Sequence, residues 1–133
     1  MDCGTDGTRA RYLPRLSNGD MVAAYALAEP ASGSDALAAR TTATLTPDGR
    51  HYVLNGTKIW ITKGGFADLF TIFAKFEGDR CTAVLVERRR GVVSGGDETK
   101  LGLAGYSTTA RTLENVKCPG ENSLGPIGRG TKV

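Results

Sequence analysis

Two short stretches of this 133-residue chain carry side chains able to hold a ligand. The first is Tyr25-Ala26-Leu27-Ala28-Glu29-Pro30-Ala31-Ser32-Gly33-Ser34-Asp35, an apolar run that ends at a Glu-Pro pair and dissolves into small residues. Pro30 disfavours helical geometry at Glu29, so the run reads as a strand that stops there. Gly33 can bring backbone close to a ligand, while Ser32, Ser34 and Asp35 offer hydroxyls and a carboxylate. Such a loop can line a site for a polar, extended molecule or serve as an ordinary solvated connection, and this stretch alone supports both readings equally. The second stretch is Trp60-Ile61-Thr62, which sets an indole and a hydroxyl near the end of an apolar segment. On its own, Trp60 reads as a buried core aromatic.

Other chemistry is sparse. Cys3, Cys81 and Cys118 are widely separated and odd in number, and the lone His51 has no neighbouring ligand, so no metal site is expected. Free thiols point to a reducing compartment. The net charge of +3 is too weak to indicate nucleic acid. Its one dense basic run, Arg88-Arg89-Arg90, lies between an apolar segment and Gly91 with no interleaved aromatics, and reads as a solvated strand end. No apolar stretch approaches the length of a membrane span, and no signal-peptide pattern opens the chain.

The elements that must position the two stretches are mostly strands. Thr5 to Leu16 reads as the tail of a helix closed by Ser17-Asn18-Gly19, with little amphipathic face of its own. Met21–Ala28 is small and apolar throughout, as a strand buried on both faces would be. Arg40–Thr46 alternates and is threonine-rich, and Pro47-Asp48-Gly49-Arg50 is turn chemistry. Asn55-Gly56 between His51–Leu54 and Thr57–Thr62 is the strongest hairpin signal in the chain. Leu69–Phe76 and Cys81–Glu87 flank a second tight turn, Glu77-Gly78-Asp79-Arg80. Gly91–Lys100 reads as irregular, Tyr106–Glu114 alternates again, and Val116–Cys118 ends at Pro119. Seven or so short strands in a chain with 18 glycines argue for an all-β sandwich or barrel in one domain.

Taken together, three segments strongly resemble the acyl-CoA dehydrogenase family: Tyr25–Asp35, Tyr52–Thr62, and the closing Leu113-Glu114-Asn115-Val116 with Pro119-Gly120-Glu121-Asn122 and Leu124-Gly125. The likeness runs from about Gly4 to the C-terminus. Its specificity lies in Glu-Pro-x-x-Gly-Ser-Asp followed by Asn-Gly-x-Lys-x-Trp-Ile-Thr. The resemblance implies the family's middle domain, an antiparallel β-barrel or pair of sheets over residues 21–133, preceded over residues 1–20 by the end of a helical domain. It implies FAD as cofactor and an acyl-CoA as substrate. Tyr25, Ala26, Leu27, Ala28, Gly33 and Ser34 match the segment lining the flavin pyrimidine ring and the adjoining thioester, with Ser34 near the pantetheine. Trp60, Ile61 and Thr62 match the segment packed against the isoalloxazine, with the Thr62 hydroxyl near flavin N5. An indole supplies area and stacking at low entropic cost, and a hydroxyl on a rigid strand can polarise that nitrogen.

The chain departs from the family at Ala28, where threonine is usual, at Lys63, where asparagine is common, at Ala104, where a basic residue is frequent, and at Thr131, where phenylalanine is usual. No glutamate here matches the family's catalytic base, so no catalytic residue is assigned. The parent enzyme implied by the resemblance desaturates acyl thioesters, passes electrons to electron-transfer flavoprotein or a similar acceptor, and is a homo-oligomer. The bacterial cytoplasm is the expected location, with the mitochondrial matrix as the alternative. Competing readings are an acyl-CoA oxidase, an acyl-carrier-protein-linked dehydrogenase and a non-catalytic β interaction module.

Overall fold

The computed structural model describes residues 3–130 and Val133. The chain opens with helix α1, Asp6–Ser17, whose start is set by Thr5: its hydroxyl accepts a hydrogen bond from the Thr8 amide at 3.1 Å. Asp6 and Arg15 sit at the ends of the helix that favour their charges. Pro14 lies in the last turn, and Asn18 and Gly19 close the helix. Among the described residues no other α-helix occurs, only three short 3-10 turns.

Eight strands follow: β1 (Ala23–Ala26), β2 (Thr42–Leu45), β3 (His51–Thr62), β4 (Leu69–Phe76), β5 (Arg80–Glu87), β6 (Val93–Asp97), β7 (Thr108–Pro119) and β8 (Ser123–Leu124). The all-β class with a short N-terminal helix is as expected. The strands form one open sheet in the order β6-β7-β3-β2-β4-β5-β8, with β1 added against β4. Most pairings are antiparallel, but β1 and β2 both run parallel to β4. They occupy successive stretches of β4, Leu69–Ile72 and then Lys75–Phe76, so residues 27–41 form an excursion between two pieces of strand.

The hairpin at Glu77–Arg80 forms as its turn residues require, in full register from Phe76–Arg80 to Leu69–Glu87. The expected hairpin at Asn55-Gly56 does not. The chain runs straight through these residues as part of β3, with only a bulge between Leu54 and Gly56. Gly56 is needed for a different reason: a Cβ there would lie 2.4 Å from the Thr41 hydroxyl and 2.8 Å from the Thr41 Cα. Asn55 spans to β7 instead, its side-chain oxygen accepting from the Asn115 amide at 2.9 Å. The segment read as irregular contains β6, whose five residues are all exposed and which is held by pairing to β7. The two pieces expected over residues 106–118 are one long strand.

Strands β4 and β5 are buried on both faces. Phe70, Ile72, Phe76, Val84 and Val86 join Tyr52, Leu54, Leu113 and Val116 in the main core. Leu69, Phe73 and Leu85 face a second cluster closed by Tyr12 of α1, Met21 and Leu124. The Tyr12 hydroxyl donates to Glu87 Oε1 at 3.0 Å, which pins the otherwise polar helix to the sheet.

Candidate functional site

The site begins with a fault in the β3–β7 pairing. Between the pairs Lys58–Arg111 and Ile61–Thr109, β3 uses two residues, Ile59 and Trp60, where β7 uses Ala110 alone. This is a β-bulge, with Trp60 in the left-handed region at φ 56°. Before the bulge Tyr52, Leu54 and Lys58 point inward; after it Ile61 does, at 1% exposure. Trp60 and Thr62 are therefore turned together to the outer face, with Trp60 58% exposed. An unbroken alternation would have buried the indole, as expected of Trp60 considered alone. Lys63, at φ 63°, ends the strand by donating its amide to the Ser107 carbonyl at 2.8 Å. Gly64 then packs so tightly that a Cβ would meet the Thr109 hydroxyl at 2.2 Å.

The first stretch lies beside this strand end. Tyr25 is exposed, its ring tilted on Phe73 at 4.9 Å, while Ala26 is buried in the core. Leu27 and Ala28 are half-buried, and the Ala28 carbonyl accepts from the Ile59 amide at 2.9 Å. The side chains of Ala26 and Ile61 are thus enclosed, and only their backbone can meet a ligand. Glu29 and Ser32 exchange backbone hydrogen bonds around Pro30-Ala31. Ser32 is buried and donates its hydroxyl to the Asp35 carbonyl, so it serves the loop itself. Gly33 and Ser34 are exposed beyond it, with open space where a Gly33 Cβ would stand. The hydroxyls of Ser34 and Thr62 and the Trp60 indole N–H have no hydrogen-bond partner among the described residues. The structure joins Ala28 to the Trp60–Thr62 strand by a direct bond; no bond connects Ser34 to it.

Beneath the junction lies a buried ion pair. Lys58, its side chain fully buried, donates to Glu29 Oε1 at 2.8 Å and to the Leu27 carbonyl at 3.1 Å. Glu29 Oε1 also accepts from the Thr41 amide at 3.0 Å and the Thr41 hydroxyl at 2.5 Å, and Oε2 accepts from the Arg40 amide at 2.6 Å. Burial pushes the Glu29 carboxyl up, but the hydrogen bonds from Lys58, Thr41 and the two amides outweigh it and hold the group at about 2. Burial pulls Lys58 below its ordinary value, against the hydrogen bond and charge of Glu29. Lys58 was not singled out from the sequence. Its even spacing from Tyr52 and Leu54, on the inward face of an alternating strand, was the available signal.

A second buried cation has no such partner. Arg111, at 1% exposure, packs its guanidinium over Phe70 at 5.2 Å, and none of its three nitrogens has a hydrogen-bond partner among the described residues. Burial, and then the charge of Arg88, lower it to about 10. The Arg88-Arg89-Arg90 run, expected to be solvated, is divided. Arg88 turns inward to the carbonyls of Ala67 at 2.6 Å and Gly64 at 2.8 Å, and Arg89 pairs with Glu87. Of the departures from the family pattern, Lys63 and Ala104 are exposed and Thr131 lies outside the described residues.

Residues 24–116 match the middle domain of acyl-CoA dehydrogenases. The chain is 49% identical over 128 residues to a probable acyl-CoA dehydrogenase of Bacillus subtilis, covering 96% of this chain and 22% of that protein. It is 43% identical over 140 residues to the human mitochondrial very long-chain specific acyl-CoA dehydrogenase, covering 98% of this chain and 21% of that protein. The crystal structure of a Bacillus anthracis acyl-CoA dehydrogenase complexed with FAD superposes with a TM-score of 0.94 at 47% identity, over 96% of this chain and 22% of the other. The chain thus spans about a fifth of the length of these relatives. The matched region holds the parallel β1–β4 pairing, the bulged β3 and the Ala28–Ile59 junction. This chain belongs to the acyl-CoA dehydrogenase family, as its middle domain.

Proposed function

We propose that the chain is the flavin- and thioester-facing domain of an FAD-dependent acyl-CoA dehydrogenase that introduces an α,β double bond into acyl thioesters. The observation that carries this reading is the bulge in β3, which turns Trp60 and Thr62 outward beside the Leu27–Ala28 backbone. An exposed indole next to an unpartnered hydroxyl fits a flat, partly apolar ring with polar edges. FAD, when bound, supplies the hydride acceptor of such a reaction. The chain's part is to seat the ring: Trp60 offers area, Thr62 a hydrogen-bond donor, and Ala28 only backbone, because its side chain lacks the hydroxyl usual there. Gly33 and Ser34 keep an open, polar stretch on which an extended thioester arm can lie.

No base for the α-proton is assigned to this chain. Glu29 is locked among four hydrogen bonds, and Glu87 is engaged by Tyr12 and Arg89. The proposed enzyme draws its base from another part of the polypeptide, transfers electrons to an electron-transfer flavoprotein or similar acceptor, and acts as a homo-oligomer in the bacterial cytoplasm or mitochondrial matrix. Among the described residues no helix is long and apolar enough to cross a membrane.

The test is purification of the polypeptide that contains this domain. It should be yellow, release FAD on denaturation, and bleach on mixing with a saturated acyl-CoA in the absence of oxygen. A colourless protein that neither takes up FAD nor oxidises acyl thioesters overturns the reading. Rapid reoxidation by oxygen alone would assign an oxidase instead.

A further inference from the structure

We infer that Lys58 and Glu29 are positioning residues that set the offset between the two ligand-facing segments, Leu27–Ala28 and Trp60–Thr62. The inference rests on the proposed flavin site. Lys58 stands two residues before Trp60, and Glu29 follows Ala28 directly, so the ion pair joins the two segments close to their exposed ends. The Lys58 ammonium divides its donors between Glu29 Oε1 and the Leu27 carbonyl, tying it to both the side chain and the backbone of the first segment. Thr41 holds the carboxylate from the other side, and Gly56 admits Thr41 because no Cβ intervenes.

A pair serving stability alone needs none of this. Buried ion pairs are commonly replaced by neutral side chains of similar volume without loss of stability, whereas charged hydrogen bonds fix geometry. The bulge makes such a constraint necessary. Trp60 sits in a left-handed conformation that its own side chain disfavours, so the strand end needs a fixed point just before it. A backbone hydrogen bond from Ile59, just before Trp60, to Ala28 ties the two segments, and Lys58 adds a second tie.

The experiment compares the wild type with the double variant Lys58→Met/Glu29→Gln and the milder Thr41→Val. Trp60 is the chain's only tryptophan, so its fluorescence anisotropy and acrylamide quenching report the strand end without any flavin present. The double variant should unfold at close to the wild-type urea concentration, yet show lower Trp60 anisotropy and about twofold greater quenching. In the flavin-containing polypeptide, FAD affinity should fall at least tenfold and the flavin absorption band should shift, with Thr41→Val intermediate in each reading. The inference is overturned if a folded double variant keeps wild-type Trp60 anisotropy and flavin affinity. If the double variant does not fold, unchanged values in Thr41→Val overturn it instead. Should the wild-type polypeptide bind no flavin, the functional reading fails while the anisotropy comparison still decides whether the pair orders Trp60.

Discussion

At the scale of single residues, two side chains make opposite demands on the fold. Thr62 is exposed, with a hydroxyl that has no hydrogen-bond partner among the described residues, which suits a group that waits for a ligand. If it donates to the flavin, Thr62→Val should slow flavin reduction roughly three- to tenfold, the worth of one neutral hydrogen bond, and leave acyl-CoA binding nearly intact. Stopped-flow bleaching at saturating substrate reads this directly, and a change confined to the binding constant would remove Thr62 from the flavin edge. Arg111 is buried with its guanidinium over Phe70, where the like charge of Arg88 acts against it and the opposite charge of Asp97 offsets it only in part. A buried cation without hydrogen-bond partners costs stability, so Arg111→Met should stabilise the chain by about 1–3 kcal/mol. A lower urea midpoint in that variant would show that the guanidinium is better satisfied than its surroundings indicate.

At the scale of elements, β3 is shaped by two irregularities with different causes. At the first, β7 sets two residues, Glu114 and Asn115, against Asn55, and the neighbouring Gly56 has no room for a side chain because Thr41 passes too close. Gly56→Ala should therefore cost about 1–3 kcal/mol through forced displacement of Thr41, with the loss read from the thermal unfolding midpoint. Because Thr41 also grips Glu29, this substitution should increase Trp60 quenching as well. The second irregularity, at Ile59-Trp60, inverts the strand's facing and is followed by Lys63 in a left-handed conformation at φ 63°. Asparagine adopts that conformation more readily than lysine. Lys63→Asn should stabilise the strand end by up to about 1 kcal/mol, detectable as a raised urea midpoint.

At the scale of the whole molecule, the sheet is a two-faced layer with one large core and a smaller one beneath α1, and the Glu29–Lys58 pair is embedded where residues 27–41 leave it. Its protonation links the site to global stability. The Glu29 carboxyl is held at about 2 in the folded chain against an ordinary value of 4.5 when unfolded. Between those values the unfolded chain binds more protons, so this contribution is complete above pH 4.5 and is lost as pH falls toward 2. Glu87, held low chiefly by Arg89, acts in the same sense. The urea midpoint should therefore drop through this window, and the drop should be shallower in Glu29→Gln. Equal pH dependence in the two proteins would show that Glu29 is not held as an anion.

What the sequence determined by itself was whatever depends on neighbours along the chain. Leu69–Phe76, the Glu77–Arg80 turn and its return strand were legible because apolar runs and turn residues act over a few positions. The helix end at Asn18-Gly19 was legible for the same reason. The motifs around Glu29 and Trp60 also stood out, and with them the family. Tertiary structure decided what depends on distant partners. Asn55-Gly56 has the local chemistry of a turn, but β7 pairs across it and Thr41 packs on it, so the strand continues. Val93–Asp97 has no apolar pattern and becomes a strand only because β7 supplies its hydrogen bonds. Trp60 was matched by motif to a flavin-packing segment, yet its exposure comes from one extra residue in β3 relative to β7, a mismatch that exists only once the two strands pair. Lys58 and Glu29, 29 positions apart, become a pair only when β3 meets the end of β1, because a buried charge finds its partner through the fold rather than along the chain.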